Sequence, residues 1–144
     1  MPAFRISGLD HVQLAIPRGT EDEARRFYGG LLGLTEVDKP APLAARGGCW
    51  FAGRNTVLHL GVEEPFAPAH KAHPAFLVSD LDACREALLA AGAPVVPEEN
   101  AVAVRRFYTA DPFGNRIELI QDGDGFSQQG AGLRTRVRLG GHRR

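Results

Sequence analysis

The chain has 144 residues and a mass of 15.5 kDa, the size of one compact domain or of two small modules sharing a core. Hydrophobic residues make up 44% and charged residues 24%, which excludes wholesale disorder and collagen-like repetition. The formal charge is zero, yet Arg134, Arg136, Arg138, Arg143 and Arg144 crowd the end, so residues 1–133 carry 12 basic and 17 acidic side chains, a net of −5.

An acidic body is a poor match for a phosphate backbone, so no nucleic-acid partner is expected. The Arg-rich segment 123–144 reads as an irregular, solvated tail. No apolar run approaches the roughly 20 residues that span a bilayer, and no membrane partner is expected. Met1 to Asp10 holds no signal-peptide core. Cys49 and Cys84 form no Cys-x-x-Cys pair, so neither a disulfide scaffold nor a thiolate zinc site is expected, and a cytoplasmic location fits.

In chain order, Leu9 to Ile16 alternates, with His11, Gln13 and Ala15 on one face and Val12, Leu14 and Ile16 on the other. That period predicts a half-buried strand. Thr20 with Glu23 is a capping-box pattern and predicts a helix start. Ala24, Phe27, Tyr28, Leu31 and Leu32 give that helix an apolar stripe, and Gly33 can stop it. Glu36–Leu43 is expected to hold a short strand. Gly48–Ala52 and Thr56–Val62 flank Gly53-Arg54-Asn55, a tight hairpin pattern.

The order then repeats. Residues 63–72, with Pro65 and Pro68, read as an exposed connector. His73–Val78 is a strand candidate that Pro74 makes an edge or a strand start. Ser79-Asp80 can cap a helix whose stripe is Leu81, Cys84, Leu88 and Ala91. Pro94–Pro97 adds a short strand. Val104–Thr109 and Arg116–Ile120 flank Asp111-Pro112-Phe113-Gly114-Asn115, which is strong turn chemistry. The fold class is therefore α+β: two tandem βαβββ modules, about 8–63 and 72–122, in one domain over 1–122.

The repeat places polar side chains at matching points. His11 and His73 open the halves, and His59 and Glu118 lie on the last strand of each. Packing alone does not ask for them, since a carboxylate between apolar neighbours needs a partner. Imidazole and carboxylate donors suit zinc, iron, nickel, cobalt or manganese. Trp50 is expected opposite His59 if Arg54-Asn55 forms a two-residue turn. By parity Arg106 and Tyr108 share the face of Glu118. With Gln13 they are candidate substrate-binding residues.

Leu9-Asp10-His11-Val12, Phe27-Tyr28 with Leu32-Gly33-Leu34, His73-Pro74-Ala75-Phe76 and Asp111 to Leu119 together resemble the vicinal oxygen chelate superfamily. That superfamily includes glyoxalase I, extradiol dioxygenases and the bleomycin and fosfomycin resistance proteins. The resemblance covers residues 8 to 121. It implies two modules whose sheets curl around one cavity. His11, His73 and Glu118 fall where the family binds one divalent metal ion. His59 falls where glyoxalase I has a carboxylate or amide ligand; it is either a fourth ligand or an acid/base. The implied activity is metal-dependent lyase, isomerase or dioxygenase chemistry on a small oxygenated or aromatic molecule. The alternative is a metal-free, ligand-sequestering protein of the bleomycin-resistance type. A homodimer is expected.

Overall fold

The computed structural model describes residues 2–98 and 103–127. The expectation of an irregular tail falls mostly on residues 128–144, outside the described residues. No helix among the described residues is long and apolar enough to cross a membrane. The described chain divides into two compact units. One runs to Lys71 and includes Asp111–Asn115; the other comprises Ala72–Ala110 and the chain from Arg116 onward.

The first unit holds β1 (Val12–Ile16), α1 (Glu21–Ala24), a π-helical turn over Arg25–Leu31, β2 (Thr35–Val37), α2 (Ala41–Ala44), β3 (Cys49–Gly53) and β4 (Thr56–Val62). Its sheet has the order β1-β4-β3-β2. The first strand lies parallel to the last, Gln13 beside His59, and β3 and β4 form the expected hairpin with Trp50 opposite His59. Asn55 takes a left-handed φ of 53° to close that turn, a conformation asparagine tolerates. Leu14, Ile16, Ala24, Phe27 and Tyr28 are buried, as the alternation and the stripe predict, while Val12, Leu31 and Leu32 are half-buried; Phe51, Leu58 and Leu60 are buried as well.

One local expectation is corrected here and two are refined. Thr20 makes no capping bond; its hydroxyl donates instead to the Pro17 carbonyl at 2.6 Å, so the capping box does not form. The helix then widens, with the Leu32 amide donating to the Phe27 carbonyl five residues back, the π-type pattern. The span Glu36–Leu43 is strand only as far as Val37. Pro40 and Pro42 leave the strand without ladder donors, and the chain enters the one-turn α2 instead.

The second unit holds β5 (Ala75–Val78), α3 (Leu81–Ala90), β6 (Val96–Pro97), β7 (Arg106–Ala110) and β8 (Arg116–Gln121). Its order β5-β8-β7-β6 repeats that of the first sheet. Asp80 caps α3, its carboxylate accepting the Ala83 amide at 3.0 Å. Leu81, Leu88, Phe107, Ile117, Leu119 and Ile120 are buried. Two βαβββ modules in tandem are thus observed.

The turn between β7 and β8 belongs to the first unit. Asp111 is 5% exposed and Asn115 1%. The Asp111 carboxylate accepts the Tyr28 hydroxyl at 2.6 Å, the Phe113 and Asn115 amides at 2.9 Å each and Asn115 Nδ2 at 2.9 Å. Asn115 also donates to the Ala15 carbonyl and accepts the Ala69 amide. The connector is therefore tied down at Ala69. His70 within it is exposed as expected.

Candidate functional site

Each unit brings two of the four expected donors together. In the first, the parallel pairing of β1 with β4 sets His11, two residues ahead of Gln13, against His59. Their rings stack at 4.0 Å between centroids with 22° between planes. Trp50 lies on His59 at 3.7 Å and 1°, as its cross-strand position dictates. His59 is thus layered with Trp50 and His11. It is buried, and its pKa is lowered by burial first and by His11 second, against an opposing pull from Asp10. His11 is partly exposed, and its Nδ1 meets the Asp10 carboxylate at 2.8 Å. Gln13 is exposed and its amide reaches over Gly61, where an added Cβ would come within 2.6 Å of it.

Ring planes tilted by only 22° do not meet within the ~2.1 Å of a metal–imidazole bond. The ring-nitrogen lone pairs of His11 and His59 therefore lie in nearly parallel planes about 4.0 Å apart. The stack favours one of them as a ligand, not both.

In the second unit, His73 Nε2 lies 3.1 Å from Glu118 Oε2. Glu118 is 5% exposed, so this carboxylate sits largely out of water and needs partners. Its second oxygen has one: Arg106 Nη1 donates to Oε1 at 2.6 Å. The same Nη1 reaches the Tyr108 hydroxyl at 3.2 Å. The Glu118 partnership raises the Arg106 pKa above its ordinary value, with burial opposing. Tyr108 braces His73 edge-on at 5.3 Å and 88°. The Arg116 guanidinium covers the Tyr108 ring at 3.8 Å. All of this follows from register: Tyr108 pairs with Glu118 and Arg106 with Ile120, so Arg106, Tyr108 and Glu118 share a face.

Residues 8–119 match the model of the Glyoxalase/Bleomycin resistance protein/Dioxygenase superfamily. The chain belongs to this superfamily. A Bacillus anthracis protein of known structure, assigned to the glyoxalase family, is 48% identical, with 82% of this chain and 97% of that one covered and a TM-score of 0.78. A fosfomycin resistance protein from Listeria monocytogenes is 19% identical over 87% of this chain and 99% of its own, with a TM-score of 0.68. A lactoylglutathione lyase from Agrobacterium tumefaciens is 22% identical over 81% and 95%, with a TM-score of 0.63. The likeness to these last two is one of fold. No curated protein matches the sequence.

Members of this superfamily commonly use a divalent metal. The donor pair of the second unit fits one. Two ligands about 2.1 Å from one ion, at angles of 90–109°, stand roughly 3.0–3.4 Å apart, and His73 Nε2 and Glu118 Oε2 stand 3.1 Å apart. Arg106 leaves Oε2 for single-oxygen ligation by occupying Oε1. Among the described residues, no three His, Cys, Asp or Glu side chains are gathered into a metal-holding group. Sequence reasoning set Trp50 opposite His59 and Arg106 on the face of Glu118, and missed the His11 ring on His59, the Arg106 bond to Glu118 and the Asp111 network. The His11 contact is legible only once the pairing of β1 with β4 is known.

Proposed function

We propose that this superfamily member acts on a small oxygenated molecule with the help of a divalent cation. His73 and Glu118 would hold the ion, and the sequence repeat nominates His11 as a further donor. The observation that carries this reading is the 3.1 Å spacing of His73 Nε2 and Glu118 Oε2 around a carboxylate only 5% exposed. When bound, such an ion supplies positive charge that grips neighbouring oxygens and stabilises an enolate-like intermediate.

The chain's own residues supply the rest. Arg106 fixes the Glu118 carboxylate, and Tyr108 holds the His73 ring in plane. His59, kept neutral by burial and by His11, offers an unprotonated imidazole nitrogen as the base. Trp50 and Gln13 stand on either side of it in the sheet and are the proposed substrate contacts. Relatives that share the fold include a lactoylglutathione lyase and a glyoxalase/dioxygenase. The proposed chemistry covers the lyase/isomerase and the dioxygenase branches, and the proposed assembly is a homodimer.

The test is elemental analysis of untagged protein and of Glu118→Ala. Near-stoichiometric metal in the first and its loss in the second is the expected result. Protein that copurifies with no ion, and binds none on titration with manganese, nickel and zinc, refutes the proposal. The layered Trp50, His59 and His11 rings favour a second reading in that event: a metal-free protein that sequesters a flat ligand against them. Quenching of Trp50 fluorescence by such a ligand in the presence of chelator is its signature.

A further inference from the structure

The Arg106 guanidinium has two unequal sides. Nη1 is fully used by Glu118 and Tyr108. The other edge, Nε with Nη2, is the fork that takes a carboxylate through two parallel N–H groups. Nε is buried and has no hydrogen-bond partner among the described residues. Nη2 meets Glu98 Oε1 at 3.5 Å, long for a charge-assisted bond. The side chain is only 11% exposed, and Phe126 lies over the guanidinium at 5.3 Å.

A charged donor held out of water and left unpaired is a standing cost that an incoming oxygen relieves. The planar, two-pronged edge matches a carboxylate. Glu98 and Glu118 flank it with two negative charges against one positive, which weighs against a dianionic phosphate. Glu98 is one-third exposed and is the less buried of the two flanking carboxylates.

We propose that Arg106 determines specificity: its Nε–Nη2 edge receives a substrate carboxylate, and the substrate class is small carboxylic acids. The further oxygens of that substrate, a 2-hydroxy or 2-oxo group, rest on the metal reading above. The carboxylate preference stands on Arg106 alone.

The experiment is calorimetric titration of the full-length protein with glycolate, lactate, pyruvate, mandelate and phenylpyruvate, each beside its neutral amide. It is run on protein as purified and again after chelation. At least one acid is expected to bind about tenfold or more tightly than its amide. Arg106→Lys keeps the charge but not the fork, and is expected to shrink that preference below about threefold. Glu98→Gln removes the competing carboxylate and is expected to tighten the acid several-fold. No acid preferred over its amide, or a preference that survives Arg106→Lys, or Glu98→Gln leaving the acid unchanged or weaker, overturns the proposal. A preference that persists in ion-free protein upholds it independently of the metal reading. Bound metal with no acid preference overturns it and leaves the metal reading standing.

Discussion

Tyr28→Phe removes one oxygen from a fully buried side chain and nothing else. Tyr28 is 0% exposed and its hydroxyl donates to Asp111 Oδ2 at 2.6 Å. The acceptor is a carboxylate that is itself 5% exposed. A hydrogen bond to a charged group is worth about 1.5–3 kcal/mol, so the variant should lose about 2 kcal/mol. Asn115 Nδ2 still serves Oδ2 at 2.9 Å, which holds the loss below that of an abandoned charge. For a chain of this length the melting temperature falls by roughly 5–8 °C. Burial, and then Asp111, push the Tyr28 pKa well above its ordinary value, so the phenol remains a donor and the deficit is the same at pH 6 and pH 9. Urea denaturation followed by Trp50 fluorescence and by circular dichroism reads it, with an unchanged m-value. Asp111→Asn in the same assay completes a double-mutant cycle with a coupling of at least about 1 kcal/mol. A Tyr28→Phe loss under about 0.5 kcal/mol refutes the reasoning, because the bond would then be worth no more than water.

Gly48 has φ +81°, and an added Cβ would lie 2.0 Å from the Leu60 carbonyl oxygen; Gly48→Ala should cost several kcal/mol, at least about 3, seen as loss of soluble protein or of the cooperative urea transition. His59 has a lowered folded-state pKa, so the unfolded chain binds its proton first. Its contribution to stability is then full above about pH 6.5 and is lost as pH falls through the lowered value. Urea midpoints from pH 7.5 to 5 should drop more steeply in the wild type than in His59→Gln; equal slopes would remove His59 as the cause. Burial pushes the Cys49 thiol up to about 11 and raises Cys84 as well. Neither should react with Ellman's reagent within minutes at pH 8 until urea unfolds the chain, and prompt labelling of the folded protein would contradict this.

The modules were legible because their signals are local and redundant. Period-two alternation, a Gly-Arg-Asn turn and Asp-Pro-Phe-Gly-Asn each specify one geometry, and together they set register. Hence Trp50 could be placed opposite His59, and Arg106 and Tyr108 beside Glu118, before any coordinates. The misses share one cause: a nearby competitor took the group on which the local pattern relied. Thr20 has the capping residue type, but the Pro17 carbonyl captured its hydroxyl. Tyr28 fits an apolar stripe, yet its hydroxyl belongs to a carboxylate 83 positions away, which no window of sequence reveals. Asp111 reads as turn chemistry and is that, since it accepts the Phe113 amide two residues on. Its second task, binding Tyr28, uses the other oxygen. The ring stack at His59 was half visible: parity gave the Trp50 neighbour, while the His11 neighbour needs the parallel pairing of β1 with β4.

That parallel pairing has a wider consequence. Because each module lays its opening strand beside its closing one, the two ends of a fifty-residue stretch become next-door addresses, and the elements between them never intervene. The same two addresses are furnished differently in the two copies: His11 and His59 make an aromatic pile without a formal charge pair, whereas His73 and Glu118 make a polar knot anchored by a guanidinium. A repeated frame can thus carry an aromatic pile in one copy and an ionic cluster in the other while its backbone plan stays fixed.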